Sequence, residues 1–177
     1  DFDISDRTVA EIWSVQRRIG DIYRAMRRCP QPILSLIQGA AVGGGFSLAL
    51  ASDIRIAADS SRMSAAYLKI GLTGADMGSS YFLPRLVGVS IASELLLTGR
   101  FINARRALEC GLVSEVVDEE DLELAAQKIC NELLQSTRMG LNLTKEALNL
   151  GIDAPSLEAA MAQDALEAIS AFNEDRS

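Results

Sequence analysis

Residues 32–56 read PILSLIQGAAVGGGFSLALASDIRI, and this stretch decides the fold. An apolar run with strand character, Ile33 to Ile37, leads into a glycine-rich turn. Three consecutive glycines, residues 43–45, then begin a short apolar helix, and a second strand follows over Asp53 to Ala57. The order strand, turn, helix and strand predicts an α/β fold.

The glycine run predicts a binding site for a negatively charged oxygen at the helix start. Glycine adopts backbone angles that other residues avoid and lets a ligand approach the main chain. The helix start adds unpaired N–H groups and a partial positive charge. These features suit a phosphate or the oxyanion of an acyl-transfer or enolate intermediate. The alternative is that the glycines only allow close packing of helix and strand.

The stretch lacks two familiar phosphate-binding motifs. A Walker loop requires Lys and then Ser or Thr after its last glycine, but Gly45 and Phe46 follow here. The dinucleotide fingerprint is absent in every register, and no basic residue lies between Ile33 and Ile54. The oxyanion interpretation is therefore favoured over nucleotide binding.

The residues from Ile37 to Ala57 resemble the signature of the crotonase family, the enoyl-CoA hydratases and isomerases. Three further motifs follow in the order that the family has. They are LPRLVG at 83–88, ELLLTGR at 94–100, and residues 104–117, which include Ala-Leu at 107–108 and Gly-Leu-Val at 111–113. The resemblance runs from about Cys29 to Leu150. It implies an α/β fold with a crotonase-like ββα spiral core over residues 1–117 and a helical C-terminal region over 118–177.

Composition is consistent with one compact domain. The chain has 177 residues, of which 49% are apolar and 23% charged. A net charge of −7 argues against nucleic acid or an anionic membrane as partner. We see neither a signal peptide nor an apolar run long enough to span a bilayer, so we expect a cytoplasmic protein.

The absence of histidine restricts the chemistry. It excludes a Ser-His-Asp or Cys-His relay and a histidine-ligated zinc site, and three scattered cysteines do not supply a metal site. Proton transfer must come from a carboxylate, Tyr, Lys or bound water. We therefore expect no metal and no cofactor.

The order of periodic and turn residues predicts the remaining elements. The predicted segments are a helix over Thr8–Arg28 capped by Asp6, a loop over Leu72–Ser80, helices near Ser79–Val87, Val89–Thr98 and Asn103–Cys110, a strand over Val113–Val117, and helices over Glu120–Leu134, Arg138–Leu150 and Ser156–Phe172.

The resemblance implies an acyl-CoA thioester as substrate. In this family the thioester oxygen lies between two backbone N–H groups, and Gly44 matches one donor, with Gly43 beside it. The second donor belongs to an earlier segment resembling Ser/Cys-Ala-Gly-x-Asp, which this chain lacks. The chain begins just after that point, at Asp1, so we expect a fragment, a cleaved product or an incomplete copy. It then holds one half of the oxyanion hole.

Both carboxylates of the hydratase pattern are replaced. The glutamate three residues after the middle glycine is Ser47 here, and the second acidic position is Tyr67. Water activation for simple hydration thereby loses its general acid and base. Ser47 is expected to hold a water or to be a small residue in a packed helix. Tyr67 is expected to donate a hydrogen bond, line the acyl pocket or pack beside the loop.

Asp76 is the acid that remains in a suggestive place. In family members that resemble dienoyl-CoA isomerases and aryl-CoA dehalogenases, an aspartate at this position transfers protons or acts as nucleophile. The alternative is that Asp76 caps the following helix, which begins with Gly78, Ser79 and Ser80. Lys145 resembles a C-terminal family lysine near the CoA phosphates, or is simply a solvated helix lysine.

The resemblance also implies a homotrimer or homohexamer whose C-terminal helices cover a neighbouring active site. Three functions remain open at this point. The first is an isomerase-like enzyme with Asp76 as acid and base; the second is a hydrolase or dehalogenase with Asp76 as nucleophile. The third is a non-catalytic subunit that binds acyl-CoA or another protein. The acyl group is not specified by these residues.

Overall fold

The computed structural model describes residues 8–74 and 76–174, with side chains through residue 166. Its α-helices are α1 (Val9–Arg28), α2 (Gly44–Ala51), α3 (Ser79–Thr98), α4 (Ala104–Glu109), α5 (Leu122–Leu133), α6 (Arg138–Gly151) and α7 (Leu157–Glu174). Its strands are β1 (Leu34–Ile37), β2 (Ala40–Val42), β3 (Ile54–Ala58), β4 (Arg62–Ser64), β5 (Ile102–Asn103) and β6 (Glu115–Val117). Short 3-10 helices lie at Ala66–Ile70, Asp76–Gly78 and Glu119–Asp121.

Two strand–strand–helix units follow each other along the chain. The first is β1-β2-α2 and the second is β3-β4-α3. Strand β1 pairs in parallel with β3, with Leu34 opposite Ile54, and β2 pairs in parallel with β4, with Ala40 opposite Arg62. Strand β6 lies on the other side of β3, while β5 runs antiparallel to β4. The expected ββα spiral is confirmed.

The two units share one hydrophobic core. Phe46 and Leu50 of α2 pack in the same cluster as Leu83 and Leu95 of α3, and all four are at most 2% exposed. Burying side chains of this size stabilises the fold by roughly 1.5–3 kcal/mol each. Helix α5 packs on the β1-β3-β6 sheet through a second cluster that includes Leu122. The domain boundary after residue 117 stays a prediction.

The long helix α3 contains the break that its sequence indicates. Gly88 has φ 78° and ψ 161°, which are not helical, so the segment consists of two helices on either side of it, as predicted. The predicted loop over residues 72–80 is wrong in its second half, because a 3-10 helix and the start of α3 occupy it.

Other expectations also require correction. The sequence analysis does not predict strands β2, β4 and β5. Each has only two or three residues, which are too few to show the alternation of apolar and polar side chains that indicates a strand. The expected cap Asp6 lies outside the described residues. The structure places Thr8 at the N-cap of α1, in a capping box with Glu11.

The segment Asp76–Thr98 has 23 residues, and a stretch of 18 residues within it has a mean hydropathy of 1.3, so length and composition alone would let it span a membrane. This corrects the expectation that no segment is long and apolar enough. In the structure its Leu83, Ala92 and Leu95 belong to the hydrophobic core, and Gly88 interrupts the helix. A helix in the core of a protein can have the same length and apolar composition as a membrane-spanning helix.

Candidate active site

The start of α2 presents a backbone N–H group to the site. Gly43 precedes the helix with φ 55°, a left-handed value that favours glycine, and its own N–H donates to Ser64 O at 3.0 Å. Gly44 is the first helical residue, and no side chain caps this end. Since the first N–H groups of a helix have no partner within it, the Gly44 N–H is available to a ligand. The sequence-based expectation for Gly44 is compatible with this geometry.

The opposite end of α2 is fixed by a buried arginine. The Arg55 guanidinium donates to Ser52 O at 2.6 Å and to Leu112 O at 2.8 Å, although its residue is only 9% exposed. Burial lowers the pKa of Arg55, and the nearby Asp53 carboxylate opposes that effect. A cation at a helix C-terminus interacts favourably with the helix dipole. The position of Gly44 therefore rests on contacts at both ends of a short helix.

Ser47 and Tyr67, which replace the hydratase carboxylates, contact each other. Their hydroxyl oxygens lie 2.5 Å apart, and both residues are at most 2% exposed. Burial raises the pKa of Tyr67 to about 12, with the Ser47 hydrogen bond acting in the opposite direction. The pair is therefore uncharged near neutral pH, and it offers hydroxyl groups where a hydratase has two carboxylates.

The Asp76 carboxylate is held by two donors. Its Oδ1 accepts from the Met77 N–H at 2.8 Å, and its Oδ2 accepts from Gln16 Nε2 on α1 at 3.3 Å. The expected role as the cap of α3 is wrong, because Gly78 occupies the N-cap and no side chain bonds there. The pKa of Tyr23 is raised mainly by burial of its hydroxyl, and the negative charge of the Asp76 carboxylate raises it further.

Tyr23 and Met77 connect Asp76 to the start of α2. The Tyr23 hydroxyl lies 3.2 Å from Met77 Sδ and 3.5 Å from Gly44 O. A Cβ at Gly44 would lie 3.5 Å from the same sulfur. The sequence analysis includes Tyr23 in the helix predicted over Thr8–Arg28 but gives it no role in the site. The available signal was its hydroxyl, since a tyrosine that faces a core needs a partner for that group.

Lys145 lies away from solvent and binds protein groups. Its Nζ lies 2.7 Å from Asp53 Oδ2 and donates to Gln31 O at 2.9 Å and to Met26 O at 3.3 Å. A lysine ammonium has three hydrogens, and these three acceptors occupy them. Contact with CoA phosphates stays a prediction that this geometry does not favour, because Lys145 instead connects α6 to α1 and to the segments that precede β1 and β3.

The geometry combines a free helix N–H, a neighbouring carboxylate and a buried hydroxyl pair on a ββα spiral. Residues 3–177 match the family model described as enoyl-CoA hydratase/isomerase. The chain belongs to this family.

Solved structures of enoyl-CoA hydratase/isomerase proteins have the same fold. The protein from Cupriavidus metallidurans superimposes with a TM-score of 0.90 at 35% identity, covering 96% of this chain and 63% of that one. A structure titled as a monofunctional enoyl-CoA isomerase from M. smegmatis gives a TM-score of 0.75 at 43% identity, covering 81% of this chain and 67% of that one.

Curated relatives in the enoyl-CoA hydratase/isomerase family include a probable enoyl-CoA hydratase from Mycobacterium tuberculosis. It is 43% identical over 148 residues, which are 84% of this chain and 52% of that protein. A 1,2-epoxyphenylacetyl-CoA isomerase from Escherichia coli is 36% identical over 154 residues, covering 83% of this chain and 58% of that protein. The chain thus spans about half the length of the curated relatives it matches.

Proposed function

We propose that the intact protein isomerises an unsaturated acyl-CoA thioester, with the Gly44 N–H as one oxyanion donor and Asp76 as the acid and base. The observation that carries this proposal is the position of the Asp76 carboxylate. The 3-10 helix that begins with Asp76 packs against α2. Its Met77 Sδ lies 3.2 Å from the Tyr23 hydroxyl and would lie 3.5 Å from a Cβ placed at Gly44. A carboxylate on an element that packs against an oxyanion donor suits proton abstraction next to a thioester carbonyl.

The proposed reaction moves one proton and one double bond. Asp76 removes a proton from C2 of a 3-enoyl thioester, and the electron pair moves to the thioester oxygen, which the Gly44 N–H stabilises. The enolate collapses as the same carboxyl returns the proton to C4. The double bond then lies between C2 and C3, and both the carboxylate and the N–H return to their starting states.

The hydroxyl pair supports isomerisation over hydration. Hydration requires a general base to activate water, whereas Ser47 and Tyr67 are uncharged and bonded to each other. The names of two relatives, an enoyl-CoA isomerase and a 1,2-epoxyphenylacetyl-CoA isomerase, are consistent with isomerisation of an acyl-CoA.

The test is turnover of a thioester panel by the intact protein and by Asp76→Asn. The panel contains 3-enoyl, 2-enoyl, dienoyl and aryl thioesters, and products are separated by chromatography and mass. We expect 3-enoyl isomerisation that falls about 10²- to 10⁴-fold in the variant, with acyl-CoA affinity retained. The matched control is Asp59→Asn, at an exposed aspartate after β3, which should leave turnover unchanged.

Three results would contradict the proposal in different ways. Full isomerase turnover by Asp76→Asn would remove Asp76 from the mechanism. A covalent acyl adduct on Asp76 would instead establish the nucleophile role. Acyl-CoA binding without any product would favour the non-catalytic subunit.

A further inference from the structure

A cavity of about 870 Å³ lies between α1, α3 and α6 in the described part of the chain. Small-molecule sites in proteins typically measure roughly 300–1,000 Å³, so the cavity has the size of a ligand site. Neither Gly44 nor Asp76 lines it, and the groups of the proposed catalytic site therefore do not determine what it binds. The ligand that fits has to be inferred from the residues of the lining.

The lining is rich in positive charge, although the whole chain has a net charge of −7. Its basic residues are Arg24, Arg27, Arg28, Arg55, Arg85 and Lys145. Asp53 is the one acidic residue of the lining within the described ranges. A concave surface with one sign of charge raises the local concentration of ligands of the opposite sign. The cavity therefore favours an anion.

Two of the six basic residues have acidic partners outside the lining. Arg24 binds Asp21 at 2.6 Å, and Arg85 binds Asp153 at 2.8 Å. Each of these pairs carries no net charge. The other four basic residues have to be compared with the single carboxylate of the lining.

Those four residues share one carboxylate, that of Asp53. Arg27 and Lys145 both bind it, at 3.0 Å and 2.7 Å. Arg55 is only 9% exposed, yet its guanidinium bonds backbone carbonyls, and Arg28 forms no salt bridge with a described residue. Because a buried charge is unfavourable without a counter-charge, this part of the wall would be stabilised by an anion.

Two of the guanidinium groups retain donors that no described residue uses. Arg27 bonds Ala51 O and Asp53 through Nη1 alone, and Arg55 uses Nε and Nη1 for its carbonyls. The Nη2 groups of both side chains are therefore available to a ligand. Burial lowers the pKa of Arg55; the Asp53 charge opposes this, and the Arg27 charge lowers that pKa further. A bound anion would reduce the repulsion between the two guanidinium groups.

We propose that this cavity binds an amphiphilic anion, with a carboxylate or phosphate head at Arg27, Arg28 and Arg55. The head supplies the negative charge that the wall lacks, and guanidinium groups suit the geometry of both kinds of head. The tail lies against the apolar part of the lining, which includes Phe82, Leu86, Leu141, Leu148 and Ile152. The proposal does not rest on the proposed isomerase, because neither the oxyanion donor nor the carboxylate of that mechanism takes part.

Calorimetry on the intact protein tests the head and the tail separately. The probes are octanoate, octyl phosphate, octanol and inorganic phosphate. We expect octanoate or octyl phosphate to bind about tenfold more tightly than octanol and inorganic phosphate, because only these two combine charge with a tail. The tighter of the two identifies the head. Octanol or inorganic phosphate binding as tightly as both octyl anions, or no binding of any probe, would overturn the proposal.

The head is tested with Arg28→Gln and Arg27→Lys, using the tighter octyl anion. Arg28 is exposed, so its loss should leave the fold intact, whereas Arg27→Lys keeps a cation beside Asp53 and removes the guanidinium. Each variant should raise Kd by about five- to tenfold. Arg18→Gln, at an exposed arginine of α1 that does not line the cavity, is the matched control. Unchanged Kd values in both test variants would overturn the proposed position of the head.

The tail is tested on one helix with two leucines. Leu148 and Leu150 of α6 are 63% and 46% exposed, but only Leu148 lines the cavity. Leu148→Gln should weaken binding of the octyl anion by about fourfold, as the loss of apolar contact predicts. Leu150→Gln should change Kd less than twofold. Equal effects of the two substitutions would contradict the proposed path of the tail.

Competition with a thioester distinguishes this cavity from the proposed catalytic site. Saturating acetyl-CoA should change the Kd of the octyl anion less than twofold, since neither Gly44 nor Asp76 lines the cavity. Displacement by acetyl-CoA would place the anion in the thioester site and overturn this proposal, leaving the proposed isomerase intact. Anion binding with these properties in a protein that turns over no thioester would overturn the proposed function alone.

Discussion

The hydroxyl oxygens of Ser47 and Tyr67 lie 2.5 Å apart in the core, although 20 residues separate them in sequence. Ser47 belongs to α2 and Tyr67 to the 3-10 helix after β4, so the bond joins the two ββα units. In the hydratase pattern, acidic residues stand at these two positions. A single hydrogen bond therefore joins the two units and also occupies both hydroxyl groups.

The first prediction concerns this pair and the free energy of unfolding. Tyr67→Phe should destabilise the protein by about 1–3 kcal/mol, because it leaves the buried Ser47 hydroxyl without its partner. Adding Ser47→Ala should recover part of that loss. Urea unfolding of both single variants and the double variant gives the coupling energy. If the stability losses of the two single variants simply add up in the double variant, the hydrogen bond between Ser47 and Tyr67 is contradicted.

The second prediction concerns alkaline pH. The pKa of Tyr67 is about 12 in the fold, above its ordinary value of 10.0, so the unfolded chain loses this proton at a lower pH than the folded chain. The stabilisation by the protonated hydroxyl is fully present below pH 10 and is lost as the pH rises through about 12. The stability difference between the wild type and Tyr67→Phe should therefore shrink between about pH 10 and 12. A constant difference in urea unfolding over this range would contradict it.

The third prediction separates the three glycines at the start of α2. A Cβ at Gly44 would make ordinary contacts with Met77 and Tyr23, so Gly44→Ala should fold. The added methyl group would stand beside the N–H that is proposed to bind the oxyanion, and turnover should fall at least 100-fold. Gly45→Ala, where a Cβ meets nothing within 4 Å, is the control and should keep its turnover.

Gly43 should behave differently from both. Its φ of 55° and ψ of −118° strain any L side chain, so Gly43→Ala should lose stability as well as turnover. Thermal unfolding of the three variants distinguishes the outcomes. Equal destabilisation of Gly43→Ala and Gly45→Ala would contradict the assigned backbone geometry.

The fourth prediction concerns Lys145. Lys145→Met removes one of the two cations that bind Asp53, which keeps Arg27 and the Ile33 N–H as partners, and should cost about 1–3 kcal/mol of stability. Acyl-CoA affinity of the folded variant should change less than threefold. Lys128→Met, at an exposed lysine on α5, is the matched control for both measurements. A large loss of CoA affinity with little loss of stability would support the phosphate contact instead.

The fifth prediction concerns Gln16, which donates to Asp76 Oδ2 at 3.3 Å. Gln16→Leu removes this donor and should lower kcat about tenfold while KM changes less than twofold, since the carboxylate loses its orientation and the thioester contacts remain. Gln127→Leu, on an exposed position of α5, controls for the substitution itself. An increase in KM with unchanged kcat would indicate that Gln16 contacts the substrate directly.

Local sequence predicted the elements that carry the site. The helix break at Gly88, the start of α2 at the glycine triplet and strands β1 and β3 all lie within two residues of their expected places. These features depend on residues that are neighbours in the chain: glycine at positive φ, apolar runs and turn residues. Strands β4 and β5 escaped prediction because they are too short to show a period.

The sequence by itself determined strands β1 and β3 and the helix start at the glycine triplet, because each follows from residue type at adjacent positions. The ββα spiral and the loss of both hydratase carboxylates followed from the resemblance to the crotonase family. Only the tertiary structure decided the partners of those groups. The bonds of Tyr67 to Ser47, of Tyr23 to Met77 and of Lys145 to Gln31 span 20, 54 and 114 residues. Pairs so distant in sequence are selected by the tertiary packing of elements that are far apart in the chain, which local propensity does not encode.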